Sequence, residues 1–590
     1  MEIYRYFLIG AIMFCGLVLM TRWQEFSAVE MDQSGPSSSL SSTNAGSGVG
    51  TAATAVPEFE EPATTAMSNT QSSVAQLGAE DSEGLEGLED TIPGASVDTS
   101  VPVVEEQVSQ AELITVKTDT LDMRIDPLGG DIVYVALPKH KAKLDEPELF
   151  ILMNRNRSMT YVSQSGLVGP NATDKAGQRP VFSSAKTLYE MAEGNDELTV
   201  TLSYTGQEGA DILKHYQFTR NSYLVNVEYQ VNNRSDQPWR AAMFAQIKRD
   251  NSEDPGSNTG GMGMANYLGF ATTSADEPYI KLSFDDIRDS AYKYEQNGGW
   301  LSMVQHYFIS AWVPPSDQKT TFSSAVTKSG FNIMRMTSPL LSVAPQSNGR
   351  IGAQFYAGPK DQYVLEEISP GLDLTVDYGW LWWIAQPLFW VLTWLHGYIG
   401  NWGWAIVGLT FLIKLAFFQL SAASYKSMAK MRVVAPKLAA LKDRYGDDKQ
   451  KYSQAMMELY KKEKINPLGS CLPMLIQMPV FIALYWTLME SVELRHAPFM
   501  GWITDLSAMD PFFVLPILMG LSMWFMQKLD PPPPDPMQAK IFQWMPVVMT
   551  FLFLFFPAGL VLYWLTNNLL SMAQQWVITR QIEAAAAAKA

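Results

Sequence analysis

Cysteine is nearly absent from this chain: Cys15 and Cys471 are the only two in 590 residues, far apart and each inside an apolar stretch. That excludes a disulfide framework, and no CxxC or Cys/His spacing offers a metal site. Histidine is scarce as well, with five residues, and His140, His215 and His306 stand in no recognisable catalytic constellation. No P-loop or other nucleotide motif occurs. Nor is there the repeat of halves with interrupted helices that transporters usually show. Basic residues are missing altogether from Gln24 to Val116, a stretch that holds sixteen Asp and Glu. The net charge of −17 is therefore concentrated there. The rest of the chain is nearly neutral, which leaves no nucleic-acid footprint.

What is present is apolar: 47% of the residues are hydrophobic and 12% aromatic, enough for membrane spans as well as a soluble core. The N-terminus opens with an apolar run, Tyr6 to Met20, behind Arg5. Arg22-Trp23-Gln24-Glu25 is not a small-residue cleavage site, and Phe14 fills the place where a lipidated Cys15 would want a small neighbour. An uncleaved anchor over residues 1–23 is preferred to a cleaved signal. Residues 24–110 are Ser, Thr, Gly, Ala, Glu and Pro with few aromatics, a flexible acidic tether that cannot bury enough apolar area to order itself. From 111 to 375 the chain changes to short alternating runs, such as Leu198-Thr199-Val200-Thr201-Leu202 and Tyr223-Leu224-Val225-Asn226-Val227-Glu228-Tyr229. Period-two alternation with turn residues between predicts an antiparallel β-sandwich facing water.

Beyond Asp377 the pattern is membrane-like. Trp380 to Ile399 holds five tryptophans, and the next apolar run begins two residues later at Trp402. Tryptophans favour the headgroup level, so 376–400 is read as an amphipathic helix lying on the outer interface. Five spans follow, roughly Trp402 to Leu420, Leu468 to Met489, Phe512 to Met526, Ile541 to Phe556 and Gly559 to Ile578. The loop 421–466 carries eleven Lys and Arg against five Asp and Glu, whereas Glu490 to Met509 carries only Arg495. Under the positive-inside rule the first loop is cytoplasmic, which places the β domain outside and both termini inside. Met428, Met431, Val434, Leu438, Leu441 and Tyr445, then Tyr452, Met456, Leu459 and Tyr460, recur at helical steps in that loop. They predict a helical hairpin turning at Gly446-Asp447-Asp448, either a solvated device that fixes topology or a docking surface for substrate or ribosome.

Lys414 lies about thirteen positions into a run that should cross the bilayer, where a cation costs about 2.5–3.5 kcal/mol, so it asks for a polar cavity. At about 1.5 Å per residue, Lys414, Gln477 and Asn567 fall about 10–18 Å from the cytoplasmic ends of their helices, in one band of depth. Thr410 is one turn from Lys414, and Trp564, Asn567, Ser571 and Gln574 form one stripe on the last helix. Met478, Phe481 and Tyr485 form a second stripe, apolar to aromatic. Polar residues here could be helix glue, and the apolar stripe plain core or lipid-facing surface. For Lys414 glue is the weaker reading, because no Asp or Glu lies in any span at matching depth. The runs Phe512 to Met526 and Ile541 to Phe556 amount to about 24 Å, short of a hydrocarbon core of about 30 Å.

Tyr425-Lys426-Ser427-Met428-Ala429-Lys430-Met431, Asn466-Pro467-Leu468-Gly469, Gln477-Met478-Pro479, Ser491-Val492-Glu493-Leu494-Arg495 and Gly559-Leu560-Val561-Leu562-Tyr563-Trp564 together strongly resemble the proteobacterial branch of the YidC insertase family. The likeness covers most of the chain and is sharpest from Asp377 to Arg580. It implies an α-helical polytopic membrane protein: an N-terminal anchor, a large periplasmic β-supersandwich similar to galactose-mutarotase-like folds, and a five-helix insertase bundle at 401–580. The expected function is insertion and folding of membrane proteins in the bacterial inner membrane. The implied partners are nascent membrane proteins, the Sec translocon, the lipid bilayer and, through the hairpin, the ribosome; no enzyme chemistry and no cofactor are expected. A groove of Lys414, Thr410, Gln477, Asn567, Ser571 and Gln574 would take the substrate, with Met478, Phe481 and Trp564 as a greasy slide. The family usually has arginine where Lys414 stands, so charge and reach remain while the bidentate fork is lost. The tail at 581–590 lacks the long basic extension of some members, so no ribosome contact is expected through it. Two rival readings, a small-solute transporter with Lys414 as its anion site and a membrane-anchored sugar enzyme, draw on weaker features.

Overall fold

The computed structural model describes residues 112–174, 179–206, 209–254, 266–445, 448–463, 472–529 and 536–587. The expected anchor at 1–23, the tether to 110, both cysteines, Gly446-Asp447, the Asn466-Pro467-Leu468-Gly469 turn and the proline run after Asp530 lie outside these residues.

Alternation in the sequence becomes a two-sided strand wherever one face meets the core. In Leu224–Asn233, Val225, Val227, Tyr229 and Val231 are buried while Asn226, Glu228 and Gln230 point outward. The same holds for Glu197–Thr205, where Val200 and Leu202 are buried. Two large sheets result. One runs from an edge at Lys293–Asn297 to Leu188–Glu190, the other from Ile280–Leu282 to Ser183–Ser184. Their inner faces share one apolar core that includes Met123, Leu152, Phe218, Tyr229 and Trp312, the arrangement of a β-sandwich. Among the described residues pairing is antiparallel apart from one parallel edge pair, Ile114–Lys117 with Leu188–Glu190. The strand Trp239–Arg249 breaks the alternation and is buried throughout except at Arg240. It has a neighbour on each side, Thr160–Val168 and Asn332–Thr337, and its Gln246 is satisfied laterally, donating to Gln164 at 2.9 Å and accepting from Arg335 at 2.8 Å.

Two short helices, α1 (Phe284–Asp289) and α2 (Gln362–Ile368), belong to the β domain. The helical part begins with α3 (Trp382–Ile399), which buries Ala385, Phe389 and Leu392 and exposes Trp382, Trp383, Trp390, Trp394 and Tyr398. Gly400 ends it at φ 70°, the left-handed conformation that glycine adopts without a Cβ penalty. Asn401 then caps α4 (Trp402–Ala416), accepting from the Trp404 amide at 3.0 Å.

The run expected to cross without interruption from Trp402 to Leu420 breaks at Phe417. There α4 gives way to α5 (Phe418–Tyr445), bent by 68°. The hydrogen bonding is carried through the bend, with Phe417 donating to Ile413 and Ser421 to Phe417, both at 3.0 Å. Among the described residues no single helix is long and apolar enough to cross a membrane, while the bent pair is, by length and composition. Helix α5 folds back on α6 (Lys449–Lys462) through Val434 and Tyr460, flanked by Met431, Leu438, Met456 and Leu459. The helical steps read from 421–466 fall on these two helices.

Helix α7 (Leu472–Glu490) packs on α3, and α8 (Val514–Leu529), α9 (Pro536–Phe553) and α10 (Ala558–Ala587) complete the bundle. Its core gathers Leu409 and Ile413 of α4, Leu484 and Leu488 of α7, Met519 of α8 and Val561 of α10. At Gly520 the helices α8 and α9 approach so closely that an added Cβ would lie 1.8 Å from Thr550 Oγ1, a use of small residues typical of lipid-facing bundles. The start of α10 is fastened by Ala558 and Gly559, which donate to Ala508 at 2.7 Å and Leu506 at 2.9 Å.

Candidate functional site

The bend at Phe417 places a small recess at the meeting of α4, α5 and α7, lined by the apolar Ile413, Phe417 and Leu420 and the polar Lys414, Ser421 and Gln477. Lys414, Phe417 and Ser421 recur at steps of three and four, so the recess lies along one helical stripe that continues through the bend. Phe417 and Ser421 were not singled out from the sequence, although that spacing was available to find them.

Lys414 is half-buried and donates to Ser571 Oγ of α10 at 2.8 Å. The Ser571 hydroxyl in turn donates to the carbonyl of Asn567 at 2.6 Å. One turn away, Gln477 Nε2 of α7 donates to Asn567 Oδ1. The structure thus joins Lys414, Ser571, Asn567 and Gln477 in one hydrogen-bonded chain across three helices. No carboxylate among the described residues pairs with Lys414. Gln574 donates to the carbonyl of Phe418 at 3.2 Å, tying α10 to the first residue beyond the bend. Thr410 sits apart: it is fully buried and its hydroxyl donates to Ile406 of its own helix at 2.7 Å. Asn568, the neighbour of Asn567, faces the other way and donates to the buried Ser522 of α8 at 3.0 Å, an interhelical bond of the kind that holds bundles together.

The apolar edge adjoins this polar chain. Met478 follows Gln477 and is exposed. Phe481 lies one turn further along α7 and meets Trp564 edge to face at 4.5 Å between ring centroids. Phe553 of α9 extends the contact, 5.3 Å from Trp564. Tyr485, in the same stripe, belongs to the bundle core. Among the described residues no group of three or more His, Cys, Asp or Glu side chains is placed to hold a metal ion. A cation tied to a hydroxyl, next to amides and an aromatic edge, can neutralise and solvate a polar guest.

Comparison with known proteins bears on the whole chain. Residues 113–391 match the model of the YidC periplasmic domain, and 394–585 that of the 60Kd inner membrane protein family. A Cellvibrio japonicus (strain Ueda107) protein named membrane protein insertase YidC is 56% identical over 517 residues, 87% of this chain and 92% of the relative. The chain belongs to the YidC insertase family. A second YidC, from Pseudomonas fluorescens (strain SBW25), is 54% identical over 498 residues, 84% of this chain and 89% of its own. A crystal structure of an active YidC insertase with its first transmembrane domain resolved is similar over 79% of this chain and 92% of that one, at 18% identity and a TM-score of 0.36. The YidC family models divide between Val391 and Trp394, within α3, so the β domain and the bundle described above fall to one model each apart from that helix.

Proposed function

We propose that this YidC-family insertase admits a client's short hydrophilic tail into the recess beside Lys414 while the client's apolar helix passes along Met478, Phe481 and Trp564 into lipid. The observation that carries this reading is the Lys414 contact: a cation held by the Ser571 hydroxyl at 2.8 Å rather than by an acid. Such a cation keeps its charge available for a transient anionic partner. Amides and hydroxyls around it lower the desolvation penalty for polar groups entering the hydrocarbon region. Transfer of about 20 apolar client residues into the bilayer supplies the driving force. No bond is made or broken.

In this reading the loop rich in Lys and Arg is cytoplasmic, the β domain periplasmic, and α3 lies on the outer interface with its tryptophans at headgroup depth. The five-helix region acts in the inner membrane, alone or beside the Sec translocon, and the α5–α6 hairpin offers the ribosome or the client a charged face.

Photocrosslinkers placed at Trp564 and Met478 in the full chain, with nascent membrane proteins stalled at successive lengths, test this reading. Crosslinks that appear as the client's apolar segment emerges support it. Purified protein in liposomes that conducts small anions yet yields neither crosslinks nor insertion would make it a transporter instead.

A further inference from the structure

The outer end of α7 is held by the β domain, and that contact has a form that packing alone does not require. Lys360, between the strand Ser347–Pro359 and α2, donates to Glu490 Oε2 at 2.8 Å and to the carbonyl of Thr375 at 3.3 Å. The two side chains are 2% and 5% exposed. His306 donates through Nε2 to the carbonyl of Met489 at 2.9 Å, satisfying one of the acceptors that a helix C-terminus leaves open. Just past the helix, Arg495 donates to the carbonyls of Lys141 and Ala142 at 2.8 and 3.0 Å, with its guanidinium over the rings of Phe150 and Phe308.

A buried ion pair is a poor device for stability, since well-packed apolar residues do as well or better, but it fixes geometry. Geometry is what α7 needs. Helices in lipid have no hydrophobic force between them to set their mutual rotation, and α7 carries Pro479, which removes an internal hydrogen bond beside Met478. Gln477, Met478 and Phe481 all project from this helix, Phe481 being nine residues, or about 13 Å, from Glu490.

We infer that the β domain clamps the outer end of α7, with Lys360 and Glu490 as positioning residues that set the rotation and depth at which α7 presents Gln477, Met478 and Phe481 to a client. The clamp gives the β domain a part in insertion without its binding any client. It rests on the groove reading for its purpose, whereas the helix placement it requires is measurable with no client present.

The test uses the full chain in lipid nanodiscs, with Cys15 and Cys471 replaced by serine and spin labels at Leu475→Cys and Trp576→Cys, two exposed positions on α7 and α10. Pulsed electron resonance reads the distance between them, and insertion of a single-span reporter is scored in parallel. Lys360→Met should broaden or shift the distance distribution and lower insertion several-fold, and Lys360→Arg should restore both. Glu490→Gln, which keeps volume and hydrogen bonding, should shift the distances in the same direction while the β domain keeps its protease resistance. Wild-type distances in Glu490→Gln and in folded Lys360→Met overturn the clamp. So does unfolding of Lys360→Met combined with wild-type distances and insertion in Glu490→Gln.

Discussion

Lys414 and Ser571 face each other across α4 and α10, and the hydroxyl that accepts from the ammonium at 2.8 Å also donates to the carbonyl of Asn567 at 2.6 Å. One neutral oxygen therefore both orients the cation and is itself held in place. Removing that oxygen and removing the cation are different experiments with different expected results.

Ser571→Ala should cost about 1 kcal/mol of stability, the usual net value of one hydrogen bond, and leave insertion of clients with acidic tails close to wild type because the charge remains. Thermal unfolding in detergent and reporter insertion measure the two effects. A loss of insertion equal to that of Lys414→Ala would mean that the hydroxyl, and not the charge, does the work.

Gly520→Ala should destabilise the bundle by about 1–3 kcal/mol, as overpacking does, because the new Cβ would meet Thr550 Oγ1 at 1.8 Å. Thr550→Ala removes that oxygen and should recover part of the loss in the double variant. Additive losses in the double variant would show that the close approach of α8 and α9 is not the cause.

Acid should loosen the β domain. Burial pushes His306 down to about 4, and its Nδ1 is buried without a hydrogen-bond partner while Nε2 donates to Met489. A second proton has nowhere to go. The unfolded chain takes up that proton near pH 6.5, so stability is full above that value and falls as the pH drops toward 4, by on the order of 3 kcal/mol for this one residue. His306→Gln, which can still donate to Met489, should flatten the dependence between pH 6.5 and 4. Unfolding of both proteins followed across that range checks it, and parallel curves would exclude His306 as the source.

Much of this was legible in the sequence, for physical reasons. Period-two runs such as Leu224 to Tyr229 had to be strands because one face meets the core. The stripe through Asn567, Ser571 and Gln574 had to lie along one side of a helix, and depth counting put Gln477 in the same band of depth as Asn567. What stayed hidden depended on contacts across long separations or on geometry without a local marker. The break at Phe417 falls in Leu415-Ala416-Phe417-Phe418, which contains neither glycine nor proline. Thr410 has the right spacing for the polar chain, yet its hydroxyl is satisfied by the carbonyl of Ile406 one turn back. Lys360 and Glu490 are 130 residues apart, and neither has a neighbour in sequence that announces the other.

The most direct test of the account is insertion by Lys414→Ala, Lys414→Glu and Lys414→Arg of one reporter whose short translocated tail carries acidic, neutral or basic residues. A freely available cation predicts that Lys414→Arg retains activity, that Lys414→Ala loses acidic tails selectively by about tenfold, a difference of about 1.4 kcal/mol, and that Lys414→Glu shifts preference toward basic tails. Wild-type insertion of every tail by both the alanine and the glutamate variants would contradict it.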